Sequence, residues 1–174
     1  ILAAVIESLT GSYESHLKSQ LYDPLGMVDS CNHESVADRD RMSTVMKRQE
    51  DGTWQPGWDP IDPPDWPFPR GSGGMVSSAI DYARFCQMLL QRGTYGGQQI
   101  LDEAWVSEMT RPQVDSCPAA KTYGLGWFIR EPNKVFSHTG SDGTFVWVDP
   151  ERSLIGMVLT QCQATTIPRQ AFRQ

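Results

Sequence analysis

The sequence predicts an α+β fold in which helices flank an antiparallel sheet. Capped helical segments are spread over residues 1–112, and a meander of short strands is predicted for residues 123–160. Helices followed by consecutive strands favour a segregated α+β arrangement over alternating βα units. With 174 residues the chain can form one domain with a substantial core, and not two. We therefore expect a single α+β domain over residues 1–174.

Two helices are predicted at the N-terminal end. Ile1–Leu9 follows a helical pattern, and Gly11 is a suitable residue to stop it. Ser12 is placed to cap a second, amphipathic helix from Tyr13 to about Leu21. Asp23-Pro24-Leu25-Gly26 is expected to end this second helix, because proline and glycine both interrupt helices.

Both ends of the chain resemble cuts within a larger domain. Ile1–Ile6 has no methionine, basic stretch or cleavage pattern, so it is not predicted to be a signal peptide. It has the pattern of a buried helix whose beginning is missing, and Ile167–Gln174 that of a helix cut soon after it starts. The domain is therefore expected to be incomplete at both ends.

A long irregular segment separates the N-terminal helices from the next predicted helix. Residues 27–74 show little periodicity, and within them Trp54–Pro69 has three tryptophans and six prolines among sixteen residues. A long loop inside a compact domain is usually functional or a linker, and tryptophan is typically buried or beside a ligand. A lid, a wall of a binding site and ordinary packing of the loop all remain open interpretations.

Two further helices are predicted between residues 77 and 112. Ser78 is a suitable N-cap, and Asp81, three residues later, resembles the second half of a capping box. Gly93 is expected to end this helix, and Asp102 to cap a shorter helix that runs to Met109. The apolar residues expected on one face of the first of these helices are Ile80, Phe85, Met88 and Leu89.

The last third of the chain is predicted to be an antiparallel meander. Its β-favouring stretches are separated by turn-forming residues, such as Ser141-Asp142-Gly143 and Asp149-Pro150-Glu151-Arg152. The predicted strands are Tyr123–Arg130, Val135–Phe136 running into His138, Thr144–Val148 and Ser153–Thr160.

His138-Thr139-Gly140, where the second of these strands meets a turn, is the candidate functional triplet. An imidazole can donate or accept a proton, a threonine hydroxyl can orient a ligand, and a glycine lets the backbone approach closely. At the inner edge of an antiparallel sheet, these groups can act on a bound acyl group. The alternative is a structural histidine that is bonded to a backbone carbonyl.

Composition and charge argue against several partner classes. The formal net charge is -6, the sequence pI is near 5.0 and no Lys/Arg cluster occurs, so nucleic acid and anionic membrane are poor partners. No apolar run is long enough to span a membrane. Cys31, Cys86, Cys117 and Cys162 form no C-x-x-C pair, which favours free thiols over a zinc site or a disulfide framework. No metal or organic cofactor is expected, and the compartment stays open.

Five motifs occur in order along the chain. They are Ile1–Glu7, Pro24–Met27, Gly71–Ala79, Tyr123–Trp127 and His138–Gly140. Together they resemble the C-terminal portion of the serine β-lactamase family, in particular its class C-like branch, which also contains D-alanyl-D-alanine carboxypeptidases and esterases. The resemblance covers nearly the whole chain. It implies a β-lactamase/transpeptidase-like fold and a small-molecule or peptide acyl substrate.

The resemblance also implies roles for the triplet. Family members form an acyl-enzyme, in which the serine of Ser-x-x-Lys attacks a carbonyl while the lysine and the tyrosine of Tyr-x-Asn move protons. Carried over, His138 is the catalytic candidate, and Thr139 faces the acid or ester group of the substrate beside Gly140. The backbone N–H of Ser141 would supply an oxyanion donor, typically worth ~3 kcal/mol.

The chain departs from the family pattern at its nucleophile. The chain contains no Tyr-x-Asn, and the family's Ser-x-x-Lys and Tyr-x-Asn both fall before Ile1. Ser15-His16-Leu17-Lys18 and Ser30-Cys31-Asn32 spell similar motifs. We interpret them as coincidence, because Ser12 is placed to cap the amide of Ser15 and the helix is polar. The chain alone is predicted to be inactive; a non-catalytic binding module and a fragment without function of its own are the alternatives.

Two further expectations depend on the resemblance. A lysine at the third motif is cationic, whereas an ordinary histidine, with a pKa near ~6.5, is mostly neutral at pH 7. Esters or amides without a carboxylate are therefore the favoured substrates. In the family, two strands from before the nucleophile pair with the last strand of the meander. Without them Ser153–Thr160 has an open edge, which predicts self-association.

Overall fold

The computed structural model describes residues 1–32, 35–58, 71, 75–114, 122–130 and 134–163. Four expectations fall on other residues and lie outside the described part of the chain. They concern the Pro/Trp segment beyond residue 58, the glycine run at 72–74, Cys117 and the C-terminal helix at 167–174.

Helix α1 spans Leu2–Thr10, and Gly11 ends it as predicted. The backbone of Gly11 is left-handed (φ 83°), and its N–H bonds to the carbonyl of Glu7. The expectation of a buried helix is not met, since no residue of α1 is buried by the described part of the chain. Leu2 and Leu9, seven residues apart and so on one face of α1, are 78% and 79% exposed.

The second predicted helix is longer and less regular than expected. It consists of α2 (Tyr13–Leu17), a π-helical turn (Lys18–Tyr22) and α3 (Asp23–Leu25). Ser12 caps it, because its Oγ accepts a hydrogen bond from the Ser15 amide at 3.2 Å. The helix ends within the predicted Asp23-Pro24-Leu25-Gly26 segment, at Gly26, whose backbone is left-handed (φ 66°), while Pro24 lies in its last turn. Because Pro24 has no N–H to donate, the wider turn before it accommodates the ring, and the helix continues to Leu25.

Three short elements interrupt the segment that was predicted to be irregular. They are α4 (Val36–Arg39), β1 (Val45–Arg48) and β2 (Trp54–Trp58). Ser35 and Asp38 form a capping box that starts α4, and β1 pairs with β2 as an antiparallel hairpin. The sequence did not predict these strands because they are short and mostly exposed, so they carry no hydrophobic alternation.

Helix α5 (Ala79–Leu90) begins at Ser78, as predicted. The Oγ of Ser78 accepts a hydrogen bond from the Asp81 amide. The Asp81 side chain does not complete a capping box. It is buried and accepts hydrogen bonds from the Asp29 amide (2.7 Å) and the Ser30 hydroxyl (3.0 Å), so it ties α5 to the segment after α3.

The predicted apolar face of α5 is correct for three residues and wrong for one. Met88 and Leu89 are buried and Phe85 is partly buried, whereas Ile80 is 68% exposed. At about 100° per residue, Ile80 lies about 180° around the helix from Leu89, and so it points away from the core.

A hairpin and a second helix follow α5. Strands β3 (Thr94–Tyr95) and β4 (Gln98–Gln99) pair with each other. Asp102 then caps α6 (Glu103–Met109) as predicted, since its carboxylate accepts a hydrogen bond from the Ala104 amide at 2.9 Å. None of the helices within the described ranges is long and apolar enough to cross a bilayer.

Five antiparallel strands in sequential order form the main sheet. They are β5 (Thr122–Tyr123), β6 (Phe128–Arg130), β7 (Val135–Thr139), β8 (Thr144–Asp149) and β9 (Leu154–Leu159). The last three lie where the sequence predicts strands. The predicted single strand Tyr123–Arg130 is instead two strands, because residues 124–127 turn the chain back so that Tyr123 pairs with Phe128.

The hydrophobic core lies between α5 and the main sheet. Its buried members include Cys86, Met88 and Leu89 of α5, and Trp127, Ile129, Phe136, Val146 and Val148 of the sheet region. Fully burying one such side chain contributes about 1.5–3 kcal/mol. This core holds β7, the strand that carries the candidate triplet, in a fixed place.

A second, smaller sheet follows the meander. Strand β10 (Cys162–Gln163) begins shortly after β9 and runs parallel to β1, giving the strand order β10-β1-β2. The outer edge of β9 has no partner strand in the described part of the chain. Leu154 and Leu159 at the two ends of β9 are 48% and 44% exposed, so an open apolar edge is present in this structure.

Candidate active site

The candidate triplet lies at the end of β7. His138 and Thr139 are the last two residues of the strand and pair with Val146 and Phe145 of β8. Gly140 and Ser141 follow directly in the turn to β8. All four predicted site residues are therefore contiguous at one end of the main sheet, with His138, Thr139 and Gly140 half-buried and Ser141 exposed.

A tyrosine hydroxyl contacts the imidazole. The Oη of Tyr123 lies 2.9 Å from the Nε2 of His138. Strands β5 and β7 lie on the two sides of β6, and the pairings Tyr123–Phe128 and Phe128–Ser137 place Tyr123 and His138 near the same end of the sheet. The hydrogen bond therefore joins β5 to β7 past the start of β6.

A third ring completes the cluster. Phe128 stacks on His138, with ring centroids 5.4 Å apart and planes inclined by 17°. Tyr123 meets Phe128 edge-on, with centroids 4.8 Å apart and an interplanar angle of 80°. The imidazole is therefore held by a hydrogen bond at one nitrogen and by a ring against its face.

The turn after His138 is tight. The amide of Gly140 donates to the Thr144 carbonyl at 2.9 Å, and the amide of Gly143 donates to the Gly140 carbonyl at 3.4 Å. A Cβ at position 140 would collide with the Thr144 hydroxyl oxygen. Glycine at position 140 therefore allows the backbone approach that the sequence predicted.

Residues 160–163, which lead into and form β10, also contact this turn. The Gln163 side-chain amide donates to the Asp142 carboxylate at 2.9 Å, and the Thr160 hydroxyl donates to the Gly143 carbonyl at 3.0 Å. Two hydrogen bonds from residues 160–163 thus hold the backbone around Ser141. Sequence reasoning did not find Asp142 or Gln163, since their contact spans 21 residues.

The backbone N–H of Ser141 is available to a ligand. Within the described ranges it donates to no protein acceptor, whereas the neighbouring Gly140 and Gly143 amides both do. Ser141 is an exposed residue, and a backbone N–H without a protein acceptor is one that can donate a hydrogen bond to an oxyanion. The arrangement can therefore offer a carbonyl oxygen a backbone donor beside an imidazole and the Thr139 hydroxyl.

The Tyr-Gly-Leu-Gly-Trp motif positions Tyr123. A Cβ at Gly124 would collide with the Met109 carbonyl at the end of α6, and the Leu125 amide donates to that same carbonyl at 3.0 Å. Trp127 is buried and packs edge-on against Phe136 at 5.0 Å. The motif thus attaches the β5–β6 turn to both α6 and the core.

The two coincidental motifs stay apart from the triplet. Ser15 is exposed and its amide is used by the Ser12 cap, while Lys18 pairs with Asp23 on the surface. Ser30 bonds to the hydroxyl of Ser77 and to Asp81. None of these contacts reaches His138, which agrees with their interpretation as coincidence.

No group of three His, Cys, Asp or Glu side chains that could hold a metal ion comes together among the described residues. Among the described residues, Cys86 and Cys162 are free thiols. Burial raises the pKa of the Cys86 thiol to about 12, which makes it a core residue rather than a nucleophile.

Comparison with known proteins gives a family and a set of relatives. A sequence profile described as Beta-lactamase matches residues 1–172. A Salmonella gallinarum protein named "Putative D-alanyl-D-alanine carboxypeptidase" is 28% identical over 101 residues, which cover 51% of this chain and 22% of that protein.

Two solved structures are similar over nearly all of the chain. The penicillin binding protein from Bacillus halodurans has a TM-score of 0.76 at 18% identity, covering 98% of this chain and 52% of that one. EstCE1, a hydrolase with promiscuous acyltransferase activity, has a TM-score of 0.75 at 21% identity, covering 99% and 53%. The chain thus spans about half the length of these solved proteins and about a fifth of the curated relative.

Proposed function

This chain belongs to the beta-lactamase family, and from that premise we propose that it forms the His138 wall of a serine hydrolase site for amide or ester substrates. Its fold is β-lactamase/transpeptidase-like, as the motifs predicted. Its relatives include a protein named as a carboxypeptidase and a hydrolase with promiscuous acyltransferase activity. All of these names concern reactions at an acyl carbonyl.

The observation that supports the proposal most is the position of the Tyr123–His138 pair next to the Ser141 amide. The imidazole at the end of β7 can donate a hydrogen bond or exchange a proton with a bound acyl group. The Ser141 N–H, whose neighbours Asp142 and Gly143 are held by hydrogen bonds, can donate a hydrogen bond to the carbonyl oxygen as negative charge develops on it. These two groups are what one wall of an acyl-transfer site needs.

The nucleophile is proposed to come from outside these 174 residues. The chain has a single Ser-x-x-Lys, Ser15 to Lys18, and it lies on the exposed face of α2 and the π-helical turn. It has no Tyr-x-Asn. Without an activated serine the chain supplies binding and electrostatic stabilisation, but no acyl-enzyme. The chain alone is therefore expected not to hydrolyse amides or esters.

Two substrate classes follow from two different observations. The name of the curated relatives points to a peptide that ends in D-alanyl-D-alanine, whose terminal carboxylate would lie near Thr139. An imidazole in place of the lysine ammonium attracts a carboxylate less strongly, which favours an ester or amide that lacks this carboxylate. Turnover of N-acetyl-D-alanyl-D-alanine compared with its methyl ester distinguishes them, since only the first class of enzyme prefers the free acid.

The experiment that tests the function uses the chain joined to the coding region upstream of Ile1. Trapping with a fluorophosphonate and mass spectrometry should locate an acylated serine in that upstream region. His138→Ala should then lower kcat on p-nitrophenyl acetate by about 10²–10⁴, the usual effect of removing an acid–base group. His16→Ala, on the surface helix, is the matched control and should leave kcat unchanged.

Two results would contradict the proposal. Turnover by the isolated 174 residues would show that the nucleophile lies within the chain. Full activity of the His138→Ala variant would make the imidazole structural. If the upstream region lacks both motifs, ligand binding without turnover favours the alternative of a non-catalytic binding module.

A further inference from the structure

The Tyr123 hydroxyl has one protein partner in the described part of the chain, and that partner is the Nε2 of His138. The other ring nitrogen, Nδ1, makes no hydrogen bond to any described residue, and no described carboxylate forms an ion pair with this histidine. The phenol is therefore the one described group that can determine which nitrogen of the neutral ring carries the proton.

The direction of the hydrogen bond follows from what each group can do. A neutral imidazole has one N–H donor and one lone-pair acceptor, and a phenol has one O–H donor. If the O–H donates to Nε2, the phenol proton and the nitrogen lone pair are both satisfied. If Nε2–H donated instead, the half-buried phenol would have no described acceptor for its own proton.

We propose that Tyr123 is a positioning residue that donates its hydroxyl proton to Nε2, so that His138 carries its own proton on Nδ1 and presents an N–H donor to an oxygen atom of the ligand. The ligand part of this inference rests on the proposed function; the tautomer does not. The ligand atom is a carbonyl, ester or carboxylate oxygen, since each of these accepts a hydrogen bond from N–H.

The aromatic cluster makes this arrangement rigid. Phe128 lies nearly parallel to the imidazole of His138 and restricts its rotation. The imidazole is thereby kept in the orientation in which Nε2 faces the Tyr123 hydroxyl. The edge of Tyr123 rests on Phe128, and its backbone carbonyl accepts a hydrogen bond from the Gln113 amide at 2.8 Å. A phenol also adds no charge to the site, in contrast with the carboxylate that often orients a histidine.

The experiment reads the tautomer directly by long-range ¹H–¹⁵N NMR of the imidazole rings at about pH 8, where an ordinary histidine is neutral. The chain has three histidines, and His138→Gln assigns the signals of interest. We expect a protonated-type ¹⁵N shift at Nδ1 and an unprotonated-type shift at Nε2. In Tyr123→Phe, which keeps the ring and its contact with Phe128, this distinct pattern should be lost.

Tyr95→Phe is the matched control and should leave the His138 signals unchanged, because Tyr95 lies in the β3–β4 hairpin. A protonated Nε2 in the wild-type chain overturns the inference, and so does an unchanged pattern in a folded Tyr123→Phe variant. The wild-type measurement alone is decisive if Tyr123→Phe fails to fold.

Addition of N-acetyl-D-alanyl-D-alanine tests the ligand part separately. A shift at Nδ1 that leaves the Nε2 signal in place supports it. A change of the Nε2 signal on addition of the probe, which would show that the probe displaces Tyr123, overturns it. If neither nitrogen responds to this probe or to its methyl ester while the Nδ1–H tautomer is present, the ligand part is wrong and the tautomer assignment stands.

Discussion

The carboxylate of Asp81, in the first turn of α5, accepts a hydrogen bond from the backbone amide of Asp29 at a distance of 2.7 Å. The two residues are 52 positions apart, and Asp81 is 1% exposed. The same carboxylate also accepts from the Ser30 hydroxyl and from the Arg84 guanidinium at 3.1 Å. It is thus one of the polar connections between the N-terminal helices and α5, beside the Arg84–Gly26 hydrogen bond.

Asp81→Ala should destabilise the chain by about 2–4 kcal/mol. The substitution leaves the Asp29 amide without its acceptor and removes one of the two acceptors of the Arg84 guanidinium, which still donates to the Gly26 carbonyl. Hydrogen bonds to buried charged groups are among the strongest. Urea unfolding measures the loss. Asp23→Ala, which removes an exposed ion pair with Lys18, is the matched control and should cost less than about 1 kcal/mol. Equal losses of unfolding free energy in the two variants would show that the hydrogen bonds of Asp81 stabilise the chain no more than an exposed ion pair does.

Gln163→Ala should loosen the turn that carries the Ser141 amide. The change removes the side-chain donor to Asp142 and leaves the Thr160 contact in place. A typical hydrogen bond contributes about 0.5–1.5 kcal/mol, so exchange of the Gly143 amide, which is bonded to the Gly140 carbonyl, should accelerate roughly 2- to 12-fold. Gln98→Ala, on the exposed β4, should leave this exchange unchanged. Unaltered exchange in Gln163→Ala would mean that the turn holds its shape without the small sheet.

Cys86 should resist alkylation at about pH 8 while the chain is folded. Burial raises the pKa of its thiol to about 12, and the thiolate is the form that reacts. Iodoacetamide labelling followed by peptide mass spectrometry should modify Cys31 or Cys162, which are partly exposed, and reach Cys86 only after urea is added. Labelling of Cys86 in the folded chain at the rate of Cys162 would contradict the burial.

The Cys86 thiol also predicts how the stability of the folded chain changes at alkaline pH. The pKa of the folded thiol is above 9.0, the ordinary value for a cysteine, so the folded chain retains a proton that the unfolded chain releases. The contribution of the protonated Cys86 thiol to the unfolding free energy is therefore fully present below about pH 9 and is lost as the pH rises toward 12. In Cys86→Ala, the urea-unfolding midpoint should fall less steeply over this pH range than in the wild-type chain. If it falls just as steeply, the Cys86 thiol is not the cause of the pH dependence.

Strand β9 should support association between copies of the chain. Its outer edge has no described partner, and Leu154 and Leu159 expose apolar surface beside the free backbone groups. Sedimentation of the chain should show dimers or larger species that dissociate on dilution. Leu159→Lys should shift the population toward monomer, whereas Val28→Lys, at an exposed site away from the sheet, should not. A monomeric wild-type chain at all concentrations would rule the association out.

The sequence predicted what is encoded locally. Ser12, Ser78 and Asp102 cap helices through bonds to amides two or three residues away, and all three caps are present. The strands that carry and follow His138 are equally local, because turn residues delimit them. Residues 138–141 therefore lie at the end of a strand, where the sequence placed them.

What the sequence did not predict depends on distant partners. Strand β1 pairs with β10 across more than a hundred residues, and the exposed β1 and β2 carry no pattern of their own. The split of Tyr123–Arg130 depends on Gly124 packing against the end of α6. The Tyr123–His138 hydrogen bond depends on the pairing of β5 with β6 and of β6 with β7. The sequence therefore showed the motif that contains Tyr123, but not the partner of the tyrosine.

Helix α6 makes no contact with His138, yet its last carbonyl belongs to the same chain of contacts. The Met109 carbonyl meets Gly124 and accepts the Leu125 amide, and these residues directly follow Tyr123. Selection for a stable α6 and selection for chemistry at the imidazole therefore act on the same backbone atoms. A homologue that shortened or exchanged this helix would need a compensating change between Tyr123 and Trp127, so the two segments should evolve together.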